Sequence, residues 1–322
     1  MTTKEIADIL TQALSTVIKG KKREISLFLT VYLAGGHILI EDIPGTGKTT
    51  LVKSLAALIE RNGEPVQFQR IQCTPDLLPY DITGVDVFNA AEQRFEFMHG
   101  PVFADILLAD ELNRTPPKVQ SALLQAMEER QVSIGRETHA LNPLLFIAAT
   151  QNPTETLGTY PLPAAQLDRF AAKISLGYPD EAAELAILQE DPAASELPLL
   201  KPLVSESDIL ASRLEQKKVF IHPALEKAIV QICNKTRLHQ ELKLGASPRA
   251  GLQLAKNIRA YALMQGRSWA EDKDIALFAP YTLAHRCIGA ERGINVSAVI
   301  AAVTGEVLST MNKKTDWSKG AE

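Results

Sequence analysis

The stretch EDIPGTGKTT, residues 41–50, decides the fold. It ends as a phosphate-binding loop ends, yet the pattern G-x-x-x-x-G-K-[ST] asks for glycine where this chain carries Asp42. Its surroundings favour the loop. "HILIE" (37–41) is a short β-prone run, and "TLVKSLAALI" (50–59) is amphipathic at helical spacing. In a strand–loop–helix of this kind, glycines let backbone N–H groups converge on phosphate oxygens at the positive end of the helix. Pro44, Gly45, Thr46, Gly47, Lys48, Thr49 and Thr50 are therefore the candidate nucleotide-binding residues. Lys48 would reach the β- and γ-phosphates of ATP, and the Thr49 hydroxyl would ligate Mg²⁺. The competing reading is a glycine turn ahead of a core helix. Asp42 is expected in the turn at the strand exit, because Asp tolerates positive φ and can hydrogen-bond the local backbone.

Working outward, "VQFQRI" (66–71), "DILLAD" (105–110), "LLFIAAT" (144–150) and "AAKISLG" (171–177) read as further strands. Most are apolar and are separated by helical stretches or long connections, which predicts an α/β fold, a parallel sheet with helices on both faces. "DILLADELNR" (105–114) delivers Asp110 and Glu111 to the C-terminal end of a strand, where open α/β sheets bind ligands. Asp110 is suited to hold Mg²⁺ through water and Glu111 to orient and polarise an attacking water. Asn152, just after the strand "LLFIAAT", could position that water or simply cap the turn before Pro153. Arg169 lies before the last strand, and Arg249 follows Ser247-Pro248, an expected N-cap and first helical residue. An arginine at a helix start opposes the macrodipole, so an anionic partner is the functional reading and a carboxylate salt bridge the plain one.

Residues 92–101 alternate around Phe95 and Phe97, and 131–142, with Gly135-Arg136 between two short β-like runs, carry a hairpin signal. From Pro179 onward the strand signal disappears, and helical patterns cover 180–190, 206–216, 223–239, 248–265, 271–285 and 294–311, with 191–203 as a proline-punctuated linker. The expected division is therefore 1–179 and 180–322. Across 322 residues the formal charge is −4, which argues against a sequence-blind nucleic-acid binder. The cysteines, Cys73, Cys233 and Cys287, lie far apart and show no disulfide or metal spacing. The polar N-terminus has no signal-like apolar stretch, and no run suits a membrane span, so a cytoplasmic protein is expected.

Taken together, "EDIPGTGKTT", "FQRIQCTPDLLPYDITG" (68–84), "GPVFADILLADELNRTPPKVQSALLQAMEERQVSIG" (100–135), "FIAATQNPTETLGTYPLPAAQLDRF" (146–170) and "GASPRA" (245–250) resemble the MoxR family of AAA+ ATPases over nearly the whole chain. The resemblance implies a P-loop NTPase αβα sandwich with a five-stranded parallel sheet, followed by an all-α lid. It also implies a ring, usually hexameric, with ATP at the subunit interfaces. In its terms Lys48 and Thr49 are Walker A, Asp110 and Glu111 Walker B and Asn152 sensor 1. Arg169 is the arginine finger for a neighbour, and Arg249 is sensor 2, in cis or in trans. Residues 92–101 correspond to a helix-2 insert and 131–142 to a pre-sensor-1 hairpin, and Val17, Ile18 and Gly20 would lie by the adenine. Ala164 departs from the family's frequent Glu and Lys21 from its frequent Gln, at positions outside the phosphoryl chemistry. The implied activity is ATP hydrolysis coupled to chaperone-like remodelling or maturation of a protein client, metal-cofactor insertion included, with a partner bearing a von Willebrand factor A (VWA) domain. The alternatives are a nucleic-acid-dependent translocase and a chelatase-type motor subunit.

Overall fold

The computed structural model describes residues 1–135, 137–153, 158–311 and 315–320. Five short strands, β1 (Ile38–Glu41), β2 (Phe68–Gln72), β3 (Ile106–Asp110), β4 (Phe146–Gln151) and β5 (Ala172–Ile174), pair in parallel in the order β5-β1-β4-β3-β2. The three inner strands, β1, β4 and β3, are apolar because both faces are covered, whereas in β2, at one edge, Ile71 is the one buried residue. Alternate residues feed two cores. Ile38, Ile40, Ile106, Leu108, Phe146 and Ala148 join the helices Thr3–Val17, Lys22–Leu33 and Lys48–Ala57 on one face. Leu39, Ile71, Leu107, Ala109, Ile147 and Ala149 face Val119, Leu123, Leu124 and Met127 of the helix Pro117–Glu129 on the other.

The order positions the site. From β1 the chain crosses to the far edge to make β2, while β4 and β5 flank β1. The crevice beyond the carboxyl ends of β1, β4 and β3 is where ligands bind in open sheets of this kind.

The second half is helical, with Glu181–Glu190, Glu206–Glu215, Pro223–Leu238, Pro248–Met264, Asp272–Leu283 and Val296–Ser309. It is not free of strand. Val204–Ser205 pairs with Ile59–Arg61, and Leu242–Leu244 with Ile288–Gly289. Segments of two or three residues are too short to show a period of two, which is why the sequence conceals them. The stretch 191–203 is partly helical, with a turn of helix at Pro192–Ser195 and a 3₁₀ turn at Leu197–Leu199. Pro192 and Pro198 sit within the first two positions of these turns, where a missing N–H costs nothing.

Outside the five-stranded sheet lie two antiparallel strand pairs: the expected hairpin, Gln131–Ile134 with Glu137–Ala140, and Gly84–Asn89 with Arg94–His99, whose first strand precedes the alternating stretch 92–101. Arg136 and residues 154–157 lie outside the described residues, as do 312–314 and 321–322. The rings of Phe97 and His139 stack at 4.1 Å, tying one pair to the other. The three cysteines are buried free thiols. Among the described residues no helix is long and apolar enough to cross a membrane.

Candidate active site

The helix Lys48–Ala57 starts at Gly47, and the loop before it turns through two glycines of positive φ, Gly45 at 82° and Gly47 at 85°. A side chain would strain either position. The Lys48 ammonium donates to the loop's own carbonyls, Ile43 O at 2.5 Å and Asp42 O at 3.2 Å. It is thus held over the concavity that the loop encloses.

Asp42 departs from the expectation. It is not among the non-glycine residues of positive φ, which are Asn62, Gln93, Glu111, Arg130 and Asp191. Its carboxylate is buried and accepts three backbone N–H bonds, from Ile43 at 2.9 Å, Leu176 at 2.7 Å and Gly177 at 2.8 Å. The local hydrogen bond is as expected; the other two reach the exit of β5. Asp42 therefore bolts the root of the loop to the strand beside it, and backbone conformation is not its reason.

Pro44 through Thr50 line a cavity of about 350 Å³ together with Asp42, Asp110, Glu111, Thr150, Gln151 and Asn152. Thr150 organises the acids. Its hydroxyl donates to Asp110 Oδ1 at 2.6 Å and accepts from the Glu111 N–H at 2.9 Å. Arg70 pairs with Asp110 Oδ2 at 2.6 Å, and Gln72 Nε2 donates to Glu111 Oε2 at 2.9 Å. Arg114 closes on the same Glu111 oxygen at 3.0 Å. Glu111 has φ 59° and ψ 47°, a conformation costly for a residue with a Cβ and characteristic of functional positions. Asn152 is buried at the wall of the cavity. Burial, then Asp110 and Glu111, push the Cys73 thiol up to about 12, so it stays a protonated, inert neighbour.

Thr49 and Asp110 offer a hydroxyl and a carboxylate to this one cavity, the hard oxygen donors that Mg²⁺ takes. No group of three or more His, Cys, Asp and Glu that could hold a metal occurs among the described residues. Mg²⁺ needs none when one or two protein oxygens are completed by phosphates and water. The residues present fit the ion.

Neither Arg169 nor Arg249 lines the cavity. They meet elsewhere, on a single carboxylate: Arg169 Nε donates to Glu128 Oε2 at 2.8 Å and Arg249 Nη2 to Glu128 Oε1 at 2.7 Å. Arg249 first and Arg169 second hold the Glu128 carboxyl below its ordinary value. Ser247 caps the helix of Arg249, its hydroxyl accepting from Ala250 N at 3.1 Å, and also donates to Asp168 Oδ1 at 3.3 Å. Arg286, buried, pairs with the same Asp168 at 2.8 Å. The two arginines are thus set by contacts that tie the helical half to residues 168–170. Ile18 approaches the P-loop, its Cδ1 3.6 Å from where a Cβ on Gly47 would stand, whereas Gly20 backs onto Ala183.

Sequence reasoning missed Arg70, Gln72, Thr150 and Glu128. The first three become visible only through register, since Gln72 lies opposite Asp110 and Ala149 opposite Ala109. Nothing in the sequence marked Glu128.

Residues 37–172 match the family described as "ATPase family associated with various cellular activities (AAA)", and residues 234–302 match the AAA lid domain. Chaperone MoxR1 of Mycobacterium tuberculosis is 38% identical, over 84% of this chain and 73% of its own length. Uncharacterized protein YeaC of Bacillus subtilis is 42% identical, over 91% and 92%. A crystal structure from Cytophaga hutchinsonii, described as that of a candidate ATPase, superposes with a TM-score of 0.86 at 37% identity, covering 96% of this chain and 95% of that one.

Proposed function

The chain belongs to the MoxR family of AAA+ ATPases, and from that premise we propose that it hydrolyses ATP in a ring and uses the cycle to remodel a protein client. The observation that carries the reading is the split placement of the catalytic groups. Lys48, Thr49, Asp110, Glu111 and Asn152 converge on one cavity, whereas Arg169 and Arg249 gather on Glu128 away from it. A subunit so built has half a site facing inward and two cations for a neighbour.

In this reading the loop N–H groups and Lys48 bind the β- and γ-phosphates. Thr49 and Asp110 would hold Mg²⁺, and the bound ion would supply positive charge to offset that of the phosphates. Thr150 and Gln72 aim Glu111, which orients the attacking water and accepts its proton, with Asn152 alongside. Arg169 serves the neighbour's γ-phosphate. Arg249, on the same carboxylate, acts in trans with it. The core spans 1–179 and the lid 180–322 in the same proposal, and a six-membered ring in the cytoplasm is the assembly that the family suggests. The pair 84–99 exposes Phe88, Phe95 and Met98, apolar surface suited to a client or to a VWA-domain partner.

The test is complementation. Lys48→Ala should lose nucleotide binding, and Glu111→Gln should bind ATP but turn over slowly. Arg169→Ala should be poor alone, with an arginine finger expected to contribute about 10³-fold or more. Mixed with Lys48→Ala, it should regain turnover, because some interfaces then hold an intact cavity beside an intact arginine. Well-mixed rings that stay silent would refute the in-trans assignment.

A further inference from the structure

A second cavity, of about 600 Å³, lies at the other end of the sheet. Gly35 and Pro143, in its wall, precede β1 and β4, whereas the P-loop follows β1. Five cations line it: Arg130, Arg213, Lys217, Lys256 and Arg259. No carboxylate does. Glu226, which lines an adjoining groove together with Arg259, is not part of this wall.

Two of the cations are withdrawn from water without a counter-charge. Arg213 is only 9% exposed and Arg130 is half-buried. Their side-chain hydrogen bonds go to main-chain carbonyls: Arg213 to Pro143 O at 2.9 Å and Tyr32 O at 3.1 Å, and Arg130 to Gly35 O at 2.9 Å, Leu145 O at 3.2 Å and the same Pro143 O at 3.3 Å. Arg213 also lies over the Tyr32 ring, 5.1 Å from its centroid. Burial, and then Arg213, lower the pKa of Arg130. Arg213 Nε, a buried donor, has no partner. Carbonyl dipoles and a ring face offset part of the cost of burying a guanidinium, but a carboxylate is the usual counter-charge and none is supplied. Lys217, Lys256 and Arg259 add further positive charge to the same wall.

We propose that this cavity is a binding site for a small polyphosphorylated molecule, distinct from the P-loop. A single carboxylate would leave most of five charges unmatched. A chain of two or three phosphates matches them, and its tetrahedral oxygens suit guanidinium forks. The volume is within the range of small-molecule sites. Its position also gives it a consequence. Arg130 follows the helix that carries Glu128, and Lys256 and Arg259 lie on the helix that Arg249 opens. A bound polyanion would hold together the two helices whose contact positions Arg249.

Inorganic tripolyphosphate is the probe, titrated calorimetrically at constant ionic strength into the full-length Lys48→Ala protein so that the P-loop does not compete. The expected result is one saturable site per chain, with a higher thermal midpoint. Adding Lys217→Glu and Lys256→Glu, both at exposed positions, should weaken binding at least tenfold. On the wild-type background these two changes should leave ATP turnover without tripolyphosphate intact, which certifies the fold. Absence of saturable binding to Lys48→Ala, or binding indifferent to the double charge reversal, would overturn the proposal. Either outcome leaves the ATPase reading to its own complementation test.

Discussion

Replacing Asp42 by glycine restores the common form of the phosphate-binding pattern and should nonetheless damage the protein in one specific way. The carboxylate accepts from Leu176 N at 2.7 Å and Gly177 N at 2.8 Å, across 134 and 135 residues of chain, as well as from its neighbour Ile43. Removing it leaves two long-range donors unsatisfied, at about 1–2 kcal/mol each where the adjoining cavity can admit water. The added backbone freedom of glycine contributes up to about 1 kcal/mol more. The sum is a loss of about 2–5 kcal/mol, or a midpoint lowered by roughly 4–20 °C at the 2–4 °C per kcal/mol typical of domains of 150–250 residues. Gly45, Gly47, Lys48 and Thr49 are untouched, so turnover well below the midpoint should stay within a few-fold of wild type. Asp42→Asn, with one oxygen remaining, should fall between. The assay pairs thermal unfolding with steady-state ATPase at a temperature where all three proteins are folded. An unchanged midpoint would refute the bolt, and a collapse of turnover in folded protein would mean that the carboxylate takes part in the chemistry.

Glu128→Ala should slow turnover about tenfold through misplacement of Arg169 and Arg249, while costing less than about 1 kcal/mol of stability because the ion pairs are partly exposed. In an Arg169→Ala, Arg249→Ala background the same change should do nothing further; an additional loss there would show that Glu128 acts independently of the arginines. Stability should fall in mild acid. Burial pushes His37 down to about 3, and its Nδ1 accepts from Ile147 N at 3.0 Å, so the unfolded chain takes up a proton below about 6.5 that the folded chain refuses. This contribution is complete above pH 6.5 and drains away as pH falls towards 3, with a slope approaching about 1.4 kcal/mol per pH unit. His285, lowered by burial and by Arg286, adds in the same direction. Urea midpoints between pH 7.5 and 5 should show the slope, and His37→Asn should reduce it to the part that His285 contributes; a flat wild-type profile would contradict the account.

What could be read from residues alone is what is local along the chain. The P-loop places its glycines, lysine and threonine within ten residues, and strand-end acids at 110 and 111 announce themselves by the apolar run before them. Alternating and continuous apolar runs likewise specify which faces are covered, and so the layered α/β fold with its helical second half. Contacts that join distant segments depend on strand order, register and helix rotation, which no single stretch encodes. Thr150 can bridge Asp110 and Glu111 because β4 lies beside β3 in one register. Glu128 gathers Arg169 and Arg249 because one face of its helix meets both. Asp42 looked like a defect in a motif, and its reason is a pair of N–H groups beyond β5. Five cations scattered from 130 to 259 share one wall only once the helical half has packed on the sheet. The local chemistry was written in the sequence, and the partners of each charge were decided by packing, because a charge is neutralised through space and not along the chain.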